Sequence, residues 1–189
     1  MEEMTQELLT KAAAGDLKTF EAIYRETSGF VYNVALRVVG NKEDAQEIVQ
    51  EVFLTVHHKL KDFRFESSFK TWVYRITTNQ AINMAKKVSR TSDKTTNYDE
   101  QVAPQAVGAD VETKIEKEHN EKLVEELLSA INPDQRACVV LRNIEGLSYE
   151  EIAMTLKINI NTVRTRLNRA REKLLSLKKQ VGYGQLQEN

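Results

Sequence analysis

Apolar residues recur at steps of three and four along most of this chain. That spacing places them on one face of an α-helix, whereas a half-buried strand would show a period of two. The segment 20–40 predicts a pair of amphipathic helices, and its apolar positions are Phe20, Ile23, Tyr24, Val31, Val34, Ala35 and Val38. With only 7 Gly and 2 Pro in 189 residues, the composition also favours an all-α fold.

Further helices are predicted on both sides of position 100. Asn41 is a credible N-cap for a helix over 42–60, with Glu43 and Asp44 near its positive end. A helix over 69–88 has Trp72 on its apolar side, where Ile76 at i+4 marks the tryptophan as core. The pattern returns over 120–130, and Pro133 then starts a new helix.

The stretch 147–174 predicts two helices joined by a tight turn. Ser148 followed by Glu151 is a capping box, so a short helix begins at Tyr149. It cannot continue past 157–159, and a second helix begins near Asn161 with apolar residues at Val163, Leu167, Ala170 and Leu174. Two such helices form a helix-turn-helix, whose second helix enters the major groove of DNA.

The basic residues support that interpretation. The chain has a net charge of −1, yet 160–180 carries seven basic residues and one acid. A helical projection places amides, hydroxyls and one arginine outward, at Asn161, Thr162, Thr165, Asn168 and Arg169. Arg164 and Arg171 lie on one flank, and Arg166 and Lys173 on the other, where they can reach phosphates. A merely solvated charged face is the alternative, but such a face usually mixes both signs.

Other features restrict the class of protein. Residues 93–119 hold three basic and seven acidic residues with little helical period, and they predict an acidic, flexible linker. The single cysteine, Cys138, lies in an apolar run and is expected to be core. We find no metal-ligand spacing, no nucleophile beside a base and no phosphate-binding loop, so we expect no metal, no cofactor and no enzyme. Without a membrane-spanning or signal segment, a cytoplasmic protein is expected.

Three stretches together resemble a known family. GLSYEEIAMTLKININTVRTRLNRAREKL resembles the fourth conserved region of the extracytoplasmic-function sigma factors of bacterial RNA polymerase. AAAGDLKTFEAIYRETSGFVYNVALRVVGN, and DAQEIVQEVFLTVHHKLKDF followed by FRFESSFKTWVYRITTNQAIN, are similar to its second region. The resemblance implies two small helical domains on a flexible linker: region 2 over 1–92, the linker over 93–119, region 4 over 120–180, and a short tail over 181–189.

The resemblance also implies roles for particular residues. Those that would read the minus-thirty-five element or hold its phosphates are Asn161, Thr162, Arg164, Thr165, Arg166, Asn168, Arg169, Arg171 and Lys173. Those that would read and help melt the minus-ten element are Phe63, Arg64, Phe65, Ser67, Ser68, Asn79, Asn83, Lys86 and Lys87. Asp44, Glu47 and Glu51 share one helical face and would bind the clamp helices of the polymerase's largest subunit. The family usually has Gly where Phe65 stands.

The expected partners follow from the same resemblance. They are core RNA polymerase, promoter DNA and an anti-sigma factor, with no small-molecule substrate and no insertion into the membrane. A free-standing helix-turn-helix regulator that binds operators is the main alternative, although the chain shows no dimerisation heptad. A helical adaptor that contacts only proteins is a second alternative. It would lack the steep salt dependence that phosphate contacts produce.

The linker limits how far the two domains can separate. Its 27 residues span about 90 Å when fully extended and roughly 30 Å as a coil. Promoter elements one and a half duplex turns apart are separated by roughly 50 Å. In the free protein we therefore expect the domains to lie closer together than a promoter requires.

Overall fold

The computed structural model describes the backbone of residues 5–92 and 123–185, and the side chains of 5–88 and 123–177. Within these ranges every regular element is a helix, which confirms the all-α prediction. The first half contains α1 (Gln6–Ala13), α2 (Leu17–Val39), α3 (Lys42–Lys59), a 3-10 turn (Leu60–Asp62) and α4 (Phe69–Ser92). The predicted linker, 93–119, lies outside the described residues.

The second half is built of shorter helices before one long one. It contains α5 (123–129), α6 (Pro133–Val139), a π-helical turn (Val140–Ile144), α7 (Tyr149–Leu156) and α8 (Ile160–Gln185). No helix in the described ranges is both long and apolar enough to cross a membrane.

The predicted pair of helices over 20–40 is wrong, because α2 is a single helix from Leu17 to Val39. Thr27, in the middle of this helix, is buried, and its hydroxyl donates to the Ile23 carbonyl at 2.6 Å. The apolar face continues without interruption from Ile23 through Val31 to the end of the helix. Burying that face outweighs the ~1 kcal/mol that a helical glycine costs.

Local sequence signals set several helix ends. Asn41 caps α3 by accepting from the Asp44 N–H at 2.8 Å, as predicted. Asn132 and Gln135 form a capping box at the start of α6, with Pro133 as its first residue. Gly40 ends α2 with φ +86°, a left-handed conformation that glycine adopts without strain.

The core of the first half lies between α2, α3 and α4, which pack against one another. Six valines are fully buried in it: Val31, Val34, Val38, Val52, Val56 and Val73. Trp72 is 8% exposed, so its prediction as a core residue is confirmed. Helix α1 packs on α2 and on the 3-10 turn.

The two halves pack directly on each other through α4, which contacts α6 and α7, and through α2, which contacts α6. The buried apolar residues of both halves form one continuous cluster. Tyr74 of α4 is almost fully buried and donates a hydrogen bond to the Glu145 carboxylate of the second half. Burial, helped by this bond, raises the pKa of the Tyr74 phenol above its ordinary value.

Candidate nucleic-acid interface

The turn between α7 and α8 is formed by local hydrogen bonds. The Ser148 hydroxyl accepts from the Glu151 N–H at 3.2 Å, and the Ser148 N–H donates to the Glu151 carboxylate at 2.7 Å. The bond from the Ser148 N–H to the carboxylate, helped by the Ser148 side chain, lowers the pKa of Glu151 below its ordinary value. Lys157 then ends α7 in the left-handed region at φ 53°, and α8 begins three residues later. The predicted capping box and helix-turn-helix are therefore both present.

Helix α8 lies on α6 and α7 through its apolar face. Val163 and Ala170 are fully buried, and Ile152 and Leu156 of α7 are buried in the same cluster. The opposite face of α8 is consequently turned to solvent. A recognition helix needs this support, because in proteins most of the stability of a helix comes from packing of its apolar face.

Most of the residues predicted for the minus-thirty-five element lie on the exposed side of α8. They are Asn161, Arg164, Thr165, Asn168, Arg169, Arg171 and Lys173. Thr162 is half-buried. Arg164 donates to the Asn161 side-chain oxygen at 3.1 Å, and the Thr165 hydroxyl donates to the Asn161 carbonyl at 2.8 Å. The first turn of α8 thus has a preformed polar surface of amide, hydroxyl and guanidinium groups, which suits the edges of base pairs.

Arg166 differs from the other basic residues of α8. Its side chain is only 25% exposed, and its guanidinium forms an ion pair with Asp134 of α6 at 2.9 Å. The helical projection placed it on a groove-facing flank, because a projection contains no information about where α6 lies. In this arrangement Arg166 faces α6 rather than an open surface.

A cluster of aromatic rings lies where the loop before α4 meets the first turn of that helix. Phe63 lies 4.8 Å from Phe65 and 5.1 Å from Trp72, measured between ring centroids, and Phe69 packs beside them. Phe65 is 42% exposed and has φ 57°, in the left-handed region. An exposed aromatic ring held in a strained backbone conformation is typical of a functional site. Here it would offer a face on which a nucleotide base could stack.

This loop and α7 border a cleft of about 560 Å³. Arg64, Ser67 and Trp72 line one side, and Met154 and Lys157 line the other. Ser68 is exposed, but its hydroxyl accepts from the Thr71 N–H at 3.0 Å and so serves the start of α4. Of the two predicted serines, Ser67 is therefore the one that lines the cleft.

The remaining predicted minus-ten residues follow along α4. Asn79 and Asn83 are both exposed and lie one helical turn apart on the same side. Lys86 forms an ion pair with Asp134 at 2.6 Å. Lys87 is exposed.

The three predicted polymerase-binding acids lie on α3. Glu47 and Glu51 are exposed, whereas Asp44 is half-buried. The Asp44 carboxylate accepts from the Asn41 side-chain amide at 2.8 Å, so it also stabilises the start of the helix.

No group of three His, Cys, Asp or Glu residues in the described part of the chain could hold a metal ion.

Sequence reasoning missed the residues that join the two halves, namely Tyr74, Asp134, Arg136 and Glu145. Arg136 is 8% exposed and had no signal of its own, since an arginine in a short helix usually faces solvent. Its role is visible only in the fold, where its guanidinium lies between the ends of α2 and α5 and donates to the carbonyls of Val38 and Ser129.

Comparison with known proteins agrees with this geometry. Residues 23–91 match the family described as Sigma-70 region 2, and residues 121–174 match Sigma-70, region 4. The chain is 33% identical over 168 residues to the ECF RNA polymerase sigma factor SigE of Mycolicibacterium smegmatis, covering 86% of this chain and 63% of that protein. It is 31% identical over 177 residues to the RNA polymerase sigma-H factor of Pseudomonas aeruginosa, covering 90% and 92% of the two chains.

A solved structure supports the fold. The sigma factor RpoE of Bartonella quintana, crystallised in complex with the anti-sigma factor NepR, superposes with a TM-score of 0.63 at 23% identity, covering 86% of this chain and 98% of that one. The matches to regions 2 and 4 define a sigma factor of bacterial RNA polymerase. The chain is also 32% identical over 177 residues to the ECF RNA polymerase sigma-E factor of Haemophilus influenzae, covering 88% of this chain and 91% of that protein, so it belongs to the ECF sigma factors. An operator-binding regulator is not favoured, because such a protein would not explain the region 2 half.

Proposed function

We propose that this protein binds core RNA polymerase and directs it to specific promoters. The observation that carries the proposal is that one chain has two separate surfaces whose chemistry suits nucleic acid. One is the polar, basic face of α8, and the other is the aromatic loop before α4 with Asn79 and Asn83 beyond it. A regulator that binds only duplex DNA has no use for the second surface.

In this proposal the face of α8 reads the minus-thirty-five element in duplex form. Asn161, Thr165, Asn168 and Arg169 would contact base edges, while Arg164, Arg171 and Lys173 would hold phosphates. The loop and α4 would accept a base flipped out of the minus-ten element. Flipping a base costs a few kcal/mol, and stacking on an exposed ring returns ~1–3 kcal/mol.

Glu47 and Glu51 would form the contact with the polymerase, and Asp44 would contribute mainly by fixing the start of α3. We assign region 2 to residues 1–92, the linker to 93–119 and region 4 to 120–180. The protein would act in the cytoplasm, would have no active site of its own, and would be restrained by an anti-sigma factor. The solved relative from Bartonella quintana, which was crystallised with such a partner, supports that last assignment.

The test combines purified protein with bacterial core RNA polymerase on fragmented genomic DNA, followed by sequencing of transcript 5′ ends. We expect new starts that share two spaced motifs. The double variant Glu47→Gln, Glu51→Gln should lose these starts, because it removes two exposed acids from α3. The matched control Glu125→Gln, Glu126→Gln removes two exposed acids from α5 and should retain them. Equal activity of the two double variants would contradict the polymerase contact.

A further inference from the structure

One carboxylate joins a basic residue from each half of the protein. Asp134 accepts from Lys86 of α4 at 2.6 Å and from Arg166 of α8 at 2.9 Å, using a different oxygen for each. Asp134 and Arg166 are each about a quarter exposed, so this ion-pair network is shielded from solvent on the α8 side. Charge-assisted contacts of this kind are formed by carboxylates and phosphates alike.

The neighbouring contacts fix Asp134 in place. Asp134 is the second residue of α6, and two residues later Arg136 anchors this helix to the end of α2 with a 2.7 Å hydrogen bond to the Val38 carbonyl. Tyr74 and Glu145 make a further bond between the halves. The carboxylate is therefore held between the two cations by the packing of α6 on the first half.

This arrangement is incompatible with occupancy of both promoter elements. The ammonium of Lys86 and the guanidinium of Arg166 lie within roughly 8 Å of each other, since the two oxygens of one carboxylate are only about 2.2 Å apart. Among the residues predicted from the sequence to contact DNA, Lys86 belongs to the minus-ten set and Arg166 to the minus-thirty-five set. On a promoter the two elements are separated by roughly 50 Å. The halves must therefore separate before both residues can contact DNA.

We propose that Asp134 takes the place of a DNA phosphate and holds the free protein in a closed state with weak affinity for DNA. The inference rests on the proposed function, because it takes Lys86 and Arg166 to contact promoter DNA once the halves have separated. In the closed state one carboxylate neutralises a phosphate-binding residue from each surface. When the halves separate, Lys86 and Arg166 lose the Asp134 carboxylate and can pair with DNA phosphates instead. Promoter binding and separation of the halves are therefore coupled.

The test uses the full-length protein and a mixed-sequence DNA duplex of about 30 base pairs. Asp134→Asn should bind this duplex more tightly than wild type, by roughly five- to tenfold at about 0.1 M salt for each additional phosphate that the protein neutralises. The log–log slope of affinity against salt should steepen by ~0.9 per additional phosphate. Circular dichroism establishes that the variant is folded.

Glu150→Gln is the matched control. Glu150 is the second residue of α7, as Asp134 is of α6, so both changes remove one acid near a helix N-terminus. Glu150 is exposed and lies outside the network, and its variant should leave the salt slope unchanged. An equal increase in affinity for both variants, or no steeper slope for Asp134→Asn, would overturn the inference.

A second variant tests the same closed state if Asp134→Asn does not fold. Tyr74→Phe removes only the hydroxyl that bonds Glu145, and it too should raise duplex affinity by favouring separation of the halves. An unchanged affinity in that variant would equally overturn the inference. Failure of the proposed function would appear separately, as absence of new transcript starts with wild type and core polymerase. If wild type starts transcription with core polymerase but the variants bind the duplex no more tightly than wild type, the Asp134 inference alone is rejected.

Discussion

The Arg136 guanidinium donates a 2.7 Å hydrogen bond to the main-chain carbonyl of Val38, 98 positions earlier in the chain. Val38 lies in the last turn of α2, where carbonyl groups lack partners within the helix and the helix dipole is negative. The same guanidinium donates to the carbonyls of Ser129 and Ile131 at 3.2 and 3.1 Å. One buried cation therefore closes helix ends from both halves, although burial lowers its pKa.

Replacement of Arg136 should destabilise the protein and loosen the contact between the halves. Arg136→Met leaves three carbonyls without their donor, so we expect a loss of about 2–4 kcal/mol in the free energy of unfolding. The midpoint of urea unfolding measures this loss, and small-angle scattering should show a larger radius of gyration. Arg136→Lys should be intermediate, because a lysine ammonium cannot span the same carbonyls. A Met variant as stable and compact as wild type would contradict this role.

Phe65 should be a position where glycine is better tolerated than alanine. With φ 57°, a residue that carries a Cβ is strained there, whereas glycine is not. Phe65→Gly should therefore be more stable to urea than Phe65→Ala by about 1 kcal/mol, the reverse of the usual order. Both variants lack the ring, so both should bind a single-stranded minus-ten oligonucleotide more weakly than wild type. An alanine variant as stable as the glycine variant would show that the loop relaxes to negative φ.

The helices and their caps could be predicted because they depend on residues close together in the chain. Asn41, Ser148 and Pro133 each set a helix boundary that the structure retains. The exposed face of α8 was predictable for the same reason. Arg166 was misplaced because its partner, Asp134, approaches from another helix. The base and phosphate contacts themselves stay predictions.

Contacts between the halves could not be predicted from the pattern. Tyr74 and Glu145 are 71 positions apart, and nothing in their local sequence indicates that they meet. The reach of the linker indicated only that the halves could be close. Which faces meet depends on matching of shape and charge between separate helices. The spacing of apolar residues along the chain does not indicate that matching.

Glu151 should stabilise the protein in a pH-dependent way. Its pKa is lowered by the hydrogen bonds from Ser148, so its charged form is favoured in the folded state. This contribution is present above the ordinary pKa of about 4.5 and is lost as the pH falls through the lower folded-state value. Because the group is exposed, we expect only a few tenths of a kcal/mol between wild type and Glu151→Gln near pH 7. Urea unfolding should show the gap closing below about pH 4, and a gap that stays constant would contradict this account.

Cys138 should be nearly inert in the folded protein. It is the single cysteine of the chain, it is fully buried in α6, and burial raises the pKa of its thiol to about 11, an effect that the nearby Arg166 guanidinium only partly offsets. At about pH 8 the thiolate that attacks a disulfide reagent is then scarcer than in the unfolded chain by a factor on the order of 10², before restricted access is counted. The native protein should therefore react with a chromogenic disulfide at least that much more slowly than the same protein in urea. Comparable rates in the two conditions would mean that α6 opens frequently, and the closed state held by Asp134 and Arg136 would lose its structural basis.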